Sequence, residues 1–67
     1  MTGVEPMLPP MRRYTTGETC SILGIHRNTL RRRTADGSIR CGYRKSGSRM
    51  FPYYLGKDIV RFWRAVL

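Results

Sequence analysis

Sixty-seven residues are enough for one small domain and no second one. Thirteen Lys and Arg, eleven of them arginine, stand against four Asp and Glu and leave a net charge of +9. That balance makes a polyanion the first partner to consider, because neutralising phosphates releases condensed counterions. A hydrophobic content of 40% suits a thin core. No apolar run approaches the roughly 20 residues of a membrane span or the core of a signal peptide, so no membrane partner and a cytoplasmic location are expected.

Residues 1–13 hold three of the four prolines and no apolar periodicity, which reads as a flexible N-terminal arm ahead of a folded unit at 14–67. Thr15-Thr16-Gly17-Glu18 fits the capping pattern T-x-x-E and predicts a helix start. Thr19, Cys20, Ile22 and Leu23 then mark an inward face until Gly24 breaks the helix. A second helix follows within a few residues, capped by His26 or Asn28, running to Ala35 and stopping at Asp36-Gly37. Two short helices around a Gly-containing turn, with Ile25 plugging the angle, form the helix-turn-helix pattern.

Ile39, Cys41 and Tyr43 alternate with Arg40, Gly42 and Arg44, as in a strand with one apolar and one basic face. Lys45-Ser46-Gly47-Ser48 is a turn, Arg49 to Phe51 return, and Pro52 is expected to end the pairing, giving a two-stranded hairpin. From Gly56 to Leu67, Ile59, Phe62, Trp63 and Val66 recur at i, i+3, i+4, i+7 and predict a third, amphipathic helix that supplies the aromatic mass against which the short helices and hairpin close. The expected architecture is α+β: a small winged helix-turn-helix of three helices and a two-stranded β-hairpin wing.

The second helix turns Leu30 inward and Arg27, Asn28, Arg31 and Arg32 outward. Guanidinium forks match guanine or phosphate, and asparagine pairs bidentately with adenine, so this face suits the major groove of duplex DNA. A charge run is ordinarily a solvated face. Here, however, residues 27–49 carry eight cations and one acid, Asp36, a net +7 whose self-repulsion an anion would relieve. The hairpin tip adds Arg44, Lys45, Ser46, Ser48 and Arg49 around a glycine, a group suited to the minor groove or phosphates. The ordinary alternative is a charged turn that guards a sheet edge. His26, Thr29 and Arg40 are secondary candidates for DNA contact.

The run from Tyr14 to Arg31, then Asp36-Gly37-Ser38-Ile39, a basic hairpin and Asp58-Ile59 on a last helix, resembles the MerR-like winged helix-turn-helix superfamily, and within it the small excisionases of mobile elements. The resemblance spans residues 14–64. It implies a recognition helix over Arg27, Asn28, Arg31 and Arg32, a wing over residues 44–49, and DNA bending. It also implies copies bound side by side and a tyrosine recombinase partner steered toward excision, in a nucleoid-associated bacterial protein. Two positions depart from the pattern. Cys20 replaces an alanine, and Arg33 stands where a large apolar residue is usual. Either the Arg33 stem covers the core with its head in solvent, or the helix is rotated and Arg33 joins the DNA face.

Glu18, Asp36 and Asp58 each have a capping or helix-end role, so no acid/base pair for an enzyme is left. Cys20 and Cys41 lack a C-x-x-C pair and the chain has one histidine, which excludes a structural zinc site; reduced cysteines, no metal, no cofactor and no small-molecule ligand are expected. RNA binding is the rival of another class, favoured by charge and by Tyr43, Tyr53 and Tyr54 but lacking a G-x-x-G loop. A small transcription regulator is the alternative within DNA binding.

Overall fold

The computed structural model describes residues 3–66; the outermost parts of the expected arm (residues 1–2) and of the expected last helix (Leu67) lie outside them. The elements run β1 (Arg13–Tyr14), α1 (Thr16–Leu23), α2 (Arg27–Ala35), β2 (Gly42–Ser46), β3 (Arg49–Leu55) and α3 (Gly56–Ala65).

Helix α1 begins as its local chemistry dictates. The Thr15 hydroxyl accepts from the Glu18 amide at 3.1 Å while the Glu18 carboxylate accepts from the Thr15 amide at 3.0 Å, a complete capping box. The Thr15 amide, and after it the Thr15 hydroxyl, hold the Glu18 carboxyl below its usual pKa. Gly24 ends the helix in the left-handed region at φ 67°, returning its N–H to the Cys20 carbonyl. Two residues later His26 caps α2, its Nδ1 accepting from the Asn28 amide at 3.1 Å. Of the two caps the sequence allows, His26 is the one used. Thr19 is fully buried in the angle between the helices because its hydroxyl donates to the Thr15 carbonyl at 2.8 Å.

The sheet departs from expectation in two ways. It has three antiparallel strands in the order β1-β3-β2 rather than two. In addition, Pro52 does not end the pairing. It sits opposite Tyr43 in the middle of β3, which continues to Leu55. β1 covers only Tyr54 and Leu55, so at Pro52 the strand has a neighbour on one side alone, and a missing N–H is tolerated there. On the other strand, Ile39 and Cys41 precede the pairing instead of forming it. Ile39 is buried, and the amides of Ser38 and Ile39 close the end of α2 onto the Arg33 carbonyl.

Helix α3 packs Ile59, Phe62 and Trp63 onto Tyr14, Leu23, Leu30, Ile39 and Tyr54, making one core; Val66, expected on the same face, is exposed beyond the helix end. No side chain caps the start of α3. Its first amides are satisfied from the N-terminal segment: Gly56 donates to the Arg12 carbonyl and Lys57 to the Pro10 carbonyl, each at 3.0 Å. Leu8 packs on the core edge, and Glu5 forms an ion pair with Arg64. The stretch read as a flexible arm therefore lies along α3 from Glu5 to Arg12 and enters β1 at Arg13, because the helix start needs acceptors that its own sequence lacks.

Gly56 is where this docking is tightest, since a Cβ there would lie 2.1 Å from the Pro9 carbonyl oxygen. Gly56→Ala is expected to cost about 1–3 kcal/mol, the range for forced overpacking, read as a lower midpoint of urea unfolding. An unchanged midpoint would show that the segment is not held against α3.

Candidate nucleic-acid interface

On α2, Leu30 is fully buried and Arg27, Asn28, Arg31 and Arg32 are exposed, as the sequence periodicity requires. Two of the four face the wing. Arg27 and Arg31, with Thr34 and Ala35, form one wall of an open groove of about 800 Å³ whose other wall is Tyr43, Phe51, Pro52 and Tyr54 of the hairpin. The first turn of α1 (Thr16, Gly17) closes its end. Asn28 and Arg32 lie further round the helix, each about 100° on from its neighbour Arg27 or Arg31. Thr29 is half-buried on the side roughly opposite Arg31. His26 spends its Nδ1 on the helix cap. Arg40 is exposed in the loop between α2 and β2.

Arg33 does not line the groove. It is exposed, and its guanidinium turns along the helix to Asp36 at 3.5 Å. Asp36 is held below its usual pKa first by bonds from Ser38 and then by Arg33. Among the described residues the ion pairs are Arg33–Asp36 and Arg64–Glu5, so the single acid within residues 27–49 is taken by Arg33. Among the described residues, Arg27, Arg31, Arg32, Arg44, Lys45 and Arg49 have no carboxylate partner.

Strand alternation divides the expected wing cluster. Arg44 stands opposite Phe51 and Ser46 opposite Arg49, whereas Lys45 stands opposite Met50 and Tyr43 opposite Pro52. Successive residues point to opposite faces of a strand. Tyr43, Lys45 and Met50 therefore share the inner face with Tyr54 and the groove, and Arg44, Ser46 and Arg49 share the outer face. Ser48 is in the turn with Gly47, which takes φ 63°. Tyr43, Met50 and Phe51 are unusually open for their type, at 59%, 58% and 46% exposed.

Arg13 was not distinguished by sequence reasoning, and Tyr53 only as a residue that would suit RNA. The Arg13 guanidinium lies over the Tyr53 ring at 4.8 Å, and the two line a second recess of about 450 Å³ with Arg44, Ser46 and Phe51. The available signal was the Arg12-Arg13 pair directly before the capping box, which periodicity alone assigns to no element.

A helix-turn-helix domain family model matches residues 13–65, most of the chain. The chain belongs to the helix-turn-helix domain family. Membership supports sequence-specific DNA binding by this domain, and it covers α1, α2, the sheet and α3 together. No curated protein and no solved structure matches the chain. Among the described residues, no three His, Cys, Asp or Glu side chains gather where a metal ion could be held, and no helix is long and apolar enough to cross a membrane.

The helix-turn-helix unit is joined to the wing through Tyr54, whose hydroxyl lies 2.7 Å from Thr34 Oγ1. Thr34 directs its one proton to the Leu30 carbonyl at 2.8 Å, so Tyr54 is the donor. Burial pushes the Tyr54 phenol up from 10.0 to about 12, opposed by the Thr34 hydroxyl, which can rotate to donate to a phenolate, and aided by Cys41. Because the folded value exceeds the unfolded one, the associated stability is complete below pH 10.0 and is lost as pH rises toward about 12. Tyr54→Phe is expected to lose about 0.5–1.5 kcal/mol at neutral pH. It should also show a shallower fall in stability between pH 9 and 11 than the wild type, in parallel urea titrations. Parallel curves across that pH range would show that Tyr54 ionises freely.

Proposed function

We propose that this helix-turn-helix protein is a MerR-like winged helix-turn-helix protein of the excisionase type: it binds a specific duplex site, bends it, and thereby directs a tyrosine recombinase toward excision, with further copies bound alongside. The observation that carries the reading is the shared groove, in which Arg27 and Arg31 of α2 face the hairpin residues Tyr43, Phe51 and Pro52. A helix and a wing on one concave surface meet one stretch of duplex.

Helix α2 occupies a major groove about 12 Å wide. Arg31 and Arg27 reach guanine edges or the flanking phosphates, Asn28 pairs with adenine, and Arg32 holds the backbone on the far side of the helix. The wing follows into the adjoining minor groove, with Lys45 leading on the inner face. Met50 and Phe51 supply the means of bending. Large exposed apolar side chains beside cations are what wedges an unstacked base step open, and the cost of unstacking is offset by the extra backbone that the bent duplex brings into contact. The protein contributes no catalysis to the recombination; it changes the shape of the substrate. Repulsion among the unpaired guanidinium groups, a cost in the free protein, is relieved on binding.

The test begins with selection of a preferred site from a random duplex pool. Arg31→Ala is then expected to weaken binding to that site by roughly 1–3 kcal/mol and to random duplex much less, the pattern of a lost base contact. Equal losses on both would assign Arg31 to the backbone. Circularly permuted fragments carrying the site should migrate with a bend centred on it. Specific binding without a bend would favour the transcription-regulator reading, and equal affinity for structured RNA would overturn duplex specificity.

A further inference from the structure

The outer face of the sheet is unlike an ordinary solvated face. Arg13, Arg44 and Arg49 stand on it with Ser46, Phe51, Tyr53 and Leu55, and no acid is among them. Its centre is built around a missing side chain. A Cβ on Gly42 would lie 2.4 Å from the Tyr53 ring directly across the strand pair, so only glycine lets that ring lie down on the sheet. The ring in turn carries the Arg13 guanidinium at 4.8 Å. A merely solvating arginine needs no such platform. Fixing a guanidinium in advance lowers the ordering cost of the next contact it makes, and the planar fork is matched to phosphate.

The outer recess is also continuous with the groove beside α2. Thr15, Phe51 and Pro52 line both, so the two meet along the edge of β3 that β1 leaves uncovered. We propose that this outer face is a second phosphate-binding surface, with Arg13 and Arg44 as its principal contacts and Arg49 nearer the tip. It grips the flanking backbone of the same duplex that α2 reads. The inference rests on the reading of α2 and the inner wing face as the duplex-binding groove, and it extends the contact to the opposite face of the wing. Tyr53 is a positioning residue that presents Arg13, and Gly42 is the opening that admits Tyr53.

The experiment measures affinity against salt concentration for the full chain on three duplexes: the selected site with flanks of about ten base pairs, one helical turn; a random duplex of the same length; and the site trimmed flush. Arg13→Gln with Arg44→Gln is expected to reduce the slope of log K against log salt by about 0.9 per lost phosphate contact. The reduction should be equal on the selected and random long duplexes and absent on the trimmed one. Tyr53→Phe should retain the wild-type slope, and Tyr53→Leu, which keeps every charge, should lower it; far-UV circular dichroism checks that each variant is folded. An unchanged slope for the double variant on the long duplexes overturns the proposal. So does sedimentation of the wild type with two duplexes bound per chain, which would assign the face to a second DNA molecule. The two readings fail separately. If Arg31→Ala loses affinity equally on all DNA while the Arg13 and Arg44 effects hold, base readout by α2 fails and the outer surface stands.

Discussion

One partly buried hydrogen bond between groove and core decides what α2 and the sheet present to a partner. The Tyr54 hydroxyl donates to Thr34, and Thr34 passes its own proton to the Leu30 carbonyl one turn earlier in α2. The contact fixes the rotation of α2 against the central strand. Leu30 must face inward and Thr34 toward the strand, so Arg27 and Arg31 line the margin that faces the hairpin, with Asn28 and Arg32 beyond them. Because β3 is both the partner of β2 and the carrier of Tyr54, the same contact sets where the wing stands relative to the helix. With the Tyr54 ring buried, its hydroxyl is costly to leave without this partner, which favours a single relative orientation of the two elements.

A second constraint comes from the start of α3. That helix supplies Ile59, Phe62 and Trp63 to the core, yet its N-terminus has no capping side chain. The carbonyls of Pro10 and Arg12 take the amides instead, and this draws the N-terminal segment across the helix and sets Arg13 into β1. Arg13 is thereby brought beside Tyr53 and the wing. The need for acceptors at the α3 start thus also places a cation on the neighbouring strand. The close approach at Gly56 and the open space over Gly42 serve the same arrangement, one admitting a backbone carbonyl and the other an aromatic ring.

The electrostatic organisation follows from which cations find acids. Arg33 takes Asp36 and Arg64 takes Glu5, and both pairs sit away from the groove. Arg27 and Arg31 line the groove itself with no carboxylate partner among the described residues. For a domain this small, whose hydrophobic burial is modest, retaining so much unpaired like charge is a cost carried by the free protein. Phosphate binding on both faces of the wing would turn that cost into affinity.

Much of this was legible from residue order, and the boundary of what was legible is physical. The Thr15–Glu18 capping box, the stop at Gly24, the extent of α2 and the inward face of α3 at Ile59, Phe62 and Trp63 all rest on interactions spanning a few residues, so spacing alone determines them. The outward set Arg27, Asn28, Arg31 and Arg32 follows from the same periodicity. What the order of residues left open depends on partners distant in the chain: that Pro52 lies within a strand, that Arg13 and Tyr14 pair with Leu55 and Tyr54, and that the basic wing is split between two faces. The register of β2 on β3 and the acceptors for α3 are selected only when the core closes. A one-residue slip of β2 on β3 would exchange inner and outer faces, and no local pattern senses that choice.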